Sequence, residues 1–594
     1  MSSDKLVFDL SSEIESTTSI FVKKDWLNIL DNQNQNYSSN QSVIDTSQLS
    51  NSNKYLSYRE AYLQIPMLIT LSNPSTALGL ATFSPATTAT TADYSVGLKN
   101  WFGQIIHSFT LDYNGTTIIQ QTPYINMWNS FKLMTSLSMA DVLTQGSTIG
   151  FYPDDPLAFS FNPVVSVSGQ GACNNMVSPL GLTASSTISL LHNSYMAQGG
   201  NIGHMKRIQY INYDPDAVAG GAGAGAYSTL QTAQSCNQLW KSYIFNKVNG
   251  VNATQAGILQ IAVSATVYLK HIHSFFQMCP LLKGVFMKMT LNLNNTSTTF
   301  TTATGAPNTT MLLTGVSNAV GGVCPLMLSA TAYDDVGAAQ GNIALSNLGV
   351  GTYVASVSVG GTCLLSSQSS IAGVLKSPIA QSIYLYVPSY TFNPVFEQAY
   401  LSSPIKKIEY SDVYQYQVIN IPGGAVFNNL ITNGIANIKS VLVLPFFSAS
   451  AGIANTGLPI QIPVYQSPFD PAGTGPTSPL CAITNFNVVI SGQNAIYNTQ
   501  MRGYEQFNDQ LYGANAVNGG MTDGLSSSLI NSLGFELEYS YYYVDVSRML
   551  PVEQSVPKSV QIIGQNLSAK AVDYYVFIEY SCSVSIDVLV GARI

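Results

Sequence analysis

Apolar and polar positions alternate along much of this chain. In "SFTLDYNGTTIIQ" (108–120), Phe109, Leu111 and Tyr113 alternate with polar neighbours, and Asn114-Gly115 follows. A period of two marks a strand with one buried face. Asn-Gly between two such runs predicts a hairpin, because both residues accept the positive φ of a type I′ turn. The pattern is written a second time in "AITNFNVVISGQNAIY" (482–497). Ile106 falls on Ile483, Phe109 on Phe486, Leu111 on Val488, Gly115 on Gly492 and Ile119 on Ile496, all at an offset of 377.

The correspondence extends on both sides of the hairpin. Downstream, "YINMWNSF" (124–131) places Tyr124, Met127, Trp128 and Phe131 at helical spacing, and "YEQFNDQL" (504–511) does the same with Tyr504, Phe507 and Leu511, at an offset of 380. Upstream, "IPMLITL" (65–71) stands opposite "LVLPFFS" (442–448), again at 377. Three elements in one order at a nearly constant offset imply two diverged copies of one β-fold. Further alternating runs, such as "GVFMKMTLNLN" (284–294), "QSIYLYVPSY" (381–390), "KKIEYSDVYQYQVI" (406–419) and "DYYVFIEYSCSVSIDV" (573–588), sit between Gly- and Pro-rich turns. The expectation is an all-β protein: two consecutive jelly-roll β-sandwiches, with long loops and a few short helices.

Residues 1–54 are rich in Asn, Gln and Ser around one apolar patch, "IFVKKDWLNIL", and are expected to form an N-terminal arm. The first jelly roll is then expected over residues 55–405, with long loop insertions at about 215–235 and 295–375. Residues 406–594 make the second. The insertions contain "AVAGGAGAGAY" (217–227) and "NNTSTTFTTATGAPNTT" (294–310), and loops of such length are functional, interfacial or disordered. No stretch holds about twenty consecutive apolar residues, so no membrane-spanning helix is expected.

Composition changes the picture in two ways. Of 594 residues, 46% are hydrophobic but only 9% are charged, against roughly 25% in ordinary soluble proteins. Neutral polar groups cost less to desolvate than charges, which suits surfaces that end against other subunits. It also suits a secreted β-protein with a Ser/Thr-rich surface. The net charge of −8 argues against sequence-specific nucleic-acid binding, and the adjacent basic pairs Lys23-Lys24, Lys206-Arg207 and Lys406-Lys407 form no patch in sequence. The seven cysteines, Cys173, Cys236, Cys279, Cys324, Cys363, Cys481 and Cys582, are odd in number and never spaced C-x-x-C. Reduced, buried thiols are expected rather than a disulfide framework or a zinc site. The acidic start "MSSDKLVFDLSSEIEST" does not look like a cleaved secretion leader.

The search for reactive chemistry finds little. The Gly/Ala run at 219–226 has no following Lys, so it does not read as a phosphate cradle. His271 and His273 would lie on one face of a strand, yet no third metal ligand follows at a recognisable spacing. Asp154 and Asp155 in "YPDDP", and Asp214 and Asp216 in "YDPD", could ligate Ca²⁺ but are first of all turn formers. Asp545 and Arg548 suit a structural ion pair. The 34 tyrosines, dense in "YSDVYQYQ" (410–417) and "YSYYYVDV" (539–546), suit sandwich cores and subunit interfaces. No catalytic, cofactor-binding or metal site is assigned, no cofactor is expected, and the chain is not read as an enzyme.

Long phrases of the sequence also resemble one family. "HSFFQMCPLLKGVFMKMTLNLN" (273–294), "FNNLITNGIANIKSVLVLPFF" (427–447), "SPFDPAGTGPTSPLCAITNFNVVISGQNAIY" (467–497) and "VPKSVQIIGQNLSAKAVDYYVFIEY" (556–580) look like the major capsid proteins of virophages and Polinton-like viruses. The resemblance covers most of residues 55–594, and leaves residues 1–54 and 295–375 unmatched. It implies a double jelly-roll capsid protein that forms homotrimers, each a pseudo-hexameric capsomer in the icosahedral shell of a small double-stranded DNA virus. The implied partners are neighbouring capsomers, a penton protein and minor capsid proteins. The implied location is the virion, with assembly in the host cytoplasm. Two other readings stay open on the residues alone: a minor capsid or spike protein, and a secreted carbohydrate-binding β-sandwich.

Overall fold

A computed structural model describes residues 19–50, 54–73, 100–153, 257–302, 351–360, 382–447, 483–496, 503–517, 539–547, 555–567 and 571–588, with short stretches between them. Sixteen of its strands make two sandwiches in succession. The first uses β1 (Phe21–Leu30), β2 (Gln41–Asp45), β3 (Tyr62–Asn73), β4 (Ile106–Tyr113), β5 (Thr116–Ile119), β6 (Gly257–Tyr268), β7 (Met287–Leu293) and β8 (Tyr384–Phe392). The second uses β9 (Ile405–Ile421), β10 (Val426–Ile435), β11 (Ile438–Phe447), β12 (Ile483–Ile490), β13 (Gln493–Asn494), β14 (Tyr542–Asp545), β15 (Lys558–Asn566) and β16 (Val572–Asp587). In the first, β6 joins β3 to complete the order β1-β8-β3-β6, facing a sheet ordered β2-β7-β4-β5. In the second the orders are β9-β16-β11-β14 and β10-β15-β12-β13. Each strand of one sandwich thus has its counterpart in the other, in the order that defines a jelly roll.

The repeated hairpin is β4-β5 in the first copy and β12-β13 in the second. Asn114 and Gly115 have φ of 47° and 80°, and Ser491 and Gly492 have 49° and 85°, so both turns take the left-handed conformation that the sequence demanded. Even an outside hydrogen bond is repeated. The Asn114 amide donates to the Phe286 carbonyl at 2.9 Å, and the Ser491 amide donates to that of Ser559 at the same distance. A helix follows each hairpin: α1 (Ile125–Ser136) is continued by α2 (Met139–Ile149), and in the second copy α5 (Tyr504–Val517) takes the same place. Among the described residues three shorter helices lie between these: the single turn Leu269–Ile272, α3 (Ser274–Met278) and α4 (Pro394–Leu401), the last joining the barrels.

The strands β3 and β11 also correspond, but with their faces out of phase with the alignment. In β3, Leu63, Ile65, Met67 and Ile69 are buried in the sandwich, alternating at its start with the less buried Tyr62 and Gln64. In β11 the residues that join the second sandwich core are Val441 and Val443, while Leu442, Leu444 and Phe446 pack on the opposite face. Aligning Ile65 with Leu442 pairs the right strands one residue out of step, and a one-residue slip exchanges the faces. Because β11 is apolar on both faces, its sequence carries no parity to reveal this.

Two expectations change. Residues 21–45 are not an arm, since β1 pairs with β8 along its whole length and β2 pairs with β7. The alternation in "FVKKDWLNIL" was obscured because both faces of β1 carry apolar residues, with Leu27 and Ile29 on one and Val22, Trp26 and Leu30 on the other. The rest of the expected arm, residues 1–18, lies outside the described residues. The stretch expected as a loop at 295–375 contains strands Thr296–Thr302, Met311–Asn318 and Gly351–Val359. The last of these takes over the edge of β3 at Met67–Ser72, beyond the point where β8 leaves it. Thr-rich "TSTTFTT" suits a pleated sheet because β-branched side chains pack well there. The insertion at 215–235 lies outside the described residues.

Candidate functional site

Among the described residues, no three His, Cys, Asp or Glu side chains converge as a metal-ligand set. His271 and His273 do not share a strand face. His271 lies in a helical turn, Leu269–Ile272, with its ring edge-on to Trp101 and Tyr268, and burial followed by the charge of Lys270 pushes its pKa down to about 3. His273 caps α3: its Nδ1 accepts from the Phe275 amide at 3.2 Å, leaving Nε2 3.4 Å from Asp412 Oδ1. With Nδ1 accepting, Nε2 carries the proton and donates it to the carboxylate. Asp412 also accepts from the Val413 amide at 2.8 Å and the Tyr580 hydroxyl at 3.3 Å. A hydrolytic triad needs a ring nitrogen able to take a proton from a nucleophile. Both nitrogens of His273 are already engaged, so the cluster is a tie between the first barrel and β9.

Cys279 and Cys582 are free thiols, and burial raises both, Cys582 to about 11, so neither is poised as a nucleophile. Asp545 accepts from the Ser547 hydroxyl at 2.6 Å. Arg548, Asp154, Asp155, Asp214, Asp216, the Gly/Ala run at 219–226 and the other five cysteines lie outside the described residues.

What the fold does assemble is a long seam between the barrels. The outer face of the sheet β9-β16-β11-β14, turned away from its own sandwich core, is covered by α1 of the first barrel. The Trp128 ring meets Phe577 at 6.2 Å, Tyr124 meets Tyr575 at 5.0 Å, and Phe131 meets Tyr541 and Tyr543 at 5.0 and 5.3 Å. The tyrosine run divides between the two sides of this sheet. Tyr539, Tyr541 and Tyr543 face the seam, whereas Tyr542, Val544 and Val546 enter the second core. Likewise Tyr574, Val576 and Ile578 point inward while Tyr575 and Phe577 point to α1. The run "YYVFI" (574–578) is continuously apolar, the mark of a strand buried on both faces.

Polar contacts fix the seam's geometry. Asn126 Nδ2 donates to Gln104 Oε1 at 2.9 Å, and Gln104 Nε2 donates to Ser130 Oγ at 2.8 Å, which anchors α1 to its own barrel. Across the seam the Tyr410 hydroxyl donates to the Ile118 carbonyl at 2.8 Å, and Thr122 Oγ1 to that of Val413 at 2.7 Å. Ser274 Oγ donates to the Ser411 carbonyl at 2.6 Å and accepts the Ser411 amide at 2.9 Å. Glu579 is buried, accepts from Ser440 Oγ at 2.8 Å and lies 4.0 Å from Lys132 Nζ of α1. Burial alone would raise its pKa, but Lys132, Lys439 and the serine hydroxyls together hold it below the usual glutamate value. Near the C-terminus, the Gly591 carbonyl accepts from the Tyr113 hydroxyl at 3.0 Å and from the Asn114 amide group, tying the end of the second barrel to the first hairpin.

The fold is a double jelly roll. No family model and no curated protein matches the sequence. Among solved structures the chain is similar to one from the cryo-EM structure of the Sputnik virophage, at 13% identity and a TM-score of 0.47, covering 98% of this chain and 90% of that one. It is similar to the mavirus major capsid protein at 11% identity and a TM-score of 0.42, covering 99% and 92%. It is also similar to the Faustovirus major capsid protein at 9% identity and a TM-score of 0.40, covering 97% and 93%.

Proposed function

We propose that this double jelly roll is the major capsid protein of a small icosahedral double-stranded DNA virus, with a structural role and no catalytic one. The observation that carries the reading is the duplication itself: one strand order written twice in one chain, with the copies side by side across a buried seam. Three such chains give six similar sectors, so a homotrimer can occupy a hexagonal position in a lattice. A closed ring of identical chains needs a head-to-tail contact whose rotation closes, and a doubled barrel supplies two similar modules for it. The weakly charged, Thr- and Asn-rich composition supports burial of much of the surface between subunits. On this reading the partners are further copies of the chain, neighbouring capsomers and a distinct penton protein, and the location is the virion, assembled in the host cytoplasm. The two domains meet at α4, near residue 405, and the insertion at 295–375 lies on the outer side of the shell.

Native mass measurement and electron microscopy of the purified protein test this together. The expected result is a trimer that persists at micromolar concentration and appears as six-lobed particles or closed shells. A stable monomer at that concentration overturns the reading. A particle with tens of copies rather than hundreds assigns the chain to the vertices or spikes instead.

A further inference from the structure

The sequence holds four Asn-Gly pairs, at 114–115, 249–250, 433–434 and 518–519, of which the first and third lie among the described residues. The pair has a chemistry of its own. The backbone nitrogen of the glycine can attack Cγ of the preceding asparagine, because no Cβ screens that nitrogen. How readily it does so depends on how freely the two groups can reach attacking geometry. Both described pairs are exposed, yet they differ in this freedom. The Asn114 side chain is held at each end: Nδ2 donates to the Gly591 carbonyl, and Oδ1 accepts the Phe286 amide at 3.2 Å. Asn433 lies in β10, the edge strand of the sheet β10-β15-β12-β13, where the register slips twice. Thr432 stands opposite Val560 and Ile435 opposite Lys558, so Asn433 and Gly434 share the single place opposite Ser559. The Ser559 carbonyl is taken by the Ser491 amide of the neighbouring hairpin. The Gly434 amide turns instead to Thr432 Oγ1, at a long 3.3 Å. Among the described residues no hydrogen bond holds the Asn433 side chain. A Cβ built on Gly434 would meet nothing within 4 Å, so the space beside its nitrogen is open.

We propose that Asn433 is a site of spontaneous deamidation and isomerisation, and that the fold protects Asn114 from the same reaction. The Gly434 nitrogen bonds to Asn433 Cγ, and the Cγ–Nδ2 bond breaks. The proton of the attacking nitrogen leaves with the amide group as ammonia, and a cyclic imide remains in the chain. Water, which the exposed bulge admits, then adds to one of the two imide carbonyls. Opening on one side gives aspartate; opening on the other gives isoaspartate, in which the main chain runs through the former side chain. Either product places a carboxylate where a neutral amide stood, in a chain of which only 9% is charged. On an edge strand such a charge opposes pairing with the edge of another sheet. Isoaspartate also adds a methylene to the backbone of β10, at a point where the strand already carries extra residues.

The test incubates the folded full-length chain in mildly alkaline buffer, with samples digested over time and amide-to-acid conversion read by peptide mass mapping. Isoaspartate is counted separately, by methylation with a protein isoaspartyl methyltransferase. Conversion at Asn433 should outpace that at Asn114 by roughly tenfold or more, since two hydrogen bonds must break before Asn114 can react. Gly434→Ala, which the open space accepts without repacking, should slow conversion at Asn433 and leave Asn114 as it was. In denaturant the two sites should convert at similar rates, because the fold is what separates them. Equal rates in the folded protein overturn the proposal, as does conversion at Asn433 that yields no isoaspartate or ignores Gly434→Ala. A difference of the same size in denaturant overturns it too, by removing the fold as the cause.

Discussion

Phe577 of β16 sits beneath Trp128, sealed between a helix and a sheet, while Tyr386 of β8, in the corresponding strand of the other barrel, stands in a half-exposed row of aromatic rings. The strand orders of the two barrels are the same, and so are the hairpin turns and the hydrogen bonds that hold them. What differs is the chemistry of the sheet face turned away from each core. Duplication preserved the features that specify a jelly roll, namely strand alternation and turn residues. It left the outer faces to diverge according to what each must meet. The second barrel's face is filled with Leu442, Leu444, Phe446 and tyrosines because it is permanently buried within the chain. The first barrel's face keeps hydroxyl-bearing rings and a lysine, Lys24, whose ammonium lies 5.0 Å over Tyr390 and 5.6 Å over Trp26.

The sharpest way to break this comparison is to empty the seam. Phe131 is fully buried and packs against both Tyr541 and Tyr543. Phe131→Ala should cost about 3–5 kcal/mol, the lost transfer energy plus a cavity between two elements that cannot both collapse into it. Denaturant unfolding is expected to show a lowered midpoint. If the two barrels then unfold in separate transitions, the seam is what makes them a single cooperative unit; an unchanged midpoint would show that α1 adds nothing to the second barrel.

Acid should weaken the first barrel before the second. His107 is buried against the Tyr124 ring, and burial lowers its pKa to about 4; His271 is lowered further. For a depressed histidine the folded state binds fewer protons than the unfolded chain. The stability it confers is complete above the ordinary value near 6.5 and falls as pH drops from there towards about 4. The loss approaches about 1.4 kcal/mol per pH unit for each such group. His107→Gln is expected to flatten the dependence of unfolding free energy on pH across that window. An equally steep profile in the variant would show that His107 is solvated in the folded protein.

Lys132 sharpens the comparison electrostatically, because it reaches from the first barrel to a carboxylate buried in the second. Lys132→Met retains most of the aliphatic stem over Trp128 and removes only the ammonium, so a cost of about 1–2 kcal/mol is expected, modest because the lysine is partly exposed. Glu579 has a depressed pKa, so the stability from its ionisation exists above the ordinary glutamate value of 4.5 and is lost as pH falls through the folded value. The gap between wild type and variant should therefore close as the solution is acidified below pH 4.5. A gap that persists there would make the effect one of packing.

The sequence made some of this legible and hid the rest for physical reasons. The hairpins were readable because Asn114-Gly115 and Ser491-Gly492 follow clean alternation, and both a turn and a half-buried strand impose local rules. The helices after them were readable from Trp128, Phe131, Phe507 and Leu511. The strand β1 was not, because Val22, Trp26 and Leu30 put apolar groups on the face that alternation would make polar. The seam itself left only an indirect trace, in strands that are apolar without alternation. Which helix covers which sheet depends on tertiary placement. The expected common strand face of His271 and His273 failed because His271 lies in the helical turn Leu269–Ile272 and His273 caps the next helix, a change that two residues of sequence cannot announce.

The smallest expected effects make the most direct test of equivalence. Gly115 and Gly492 hold the same position in the two hairpins, at φ of 80° and 85°, and a Cβ added to either meets nothing within 4 Å. Gly115→Ala and Gly492→Ala should therefore differ from wild type only by the strain of an L-residue in the left-handed region, about 1 kcal/mol each. If the two turns are the same device, the two losses should agree within about 0.5 kcal/mol, the margin within which independent sites add. Gly591→Ala provides the contrast. It shares the positive φ, at 69°, but its Cβ would lie 2.7 Å from the Gly284 carbonyl oxygen, so its loss should exceed theirs. A larger loss at Gly115 than at Gly492 would place the difference next door, at Asn114, whose side-chain amide holds Gly591, since Ser491 has no such group to offer.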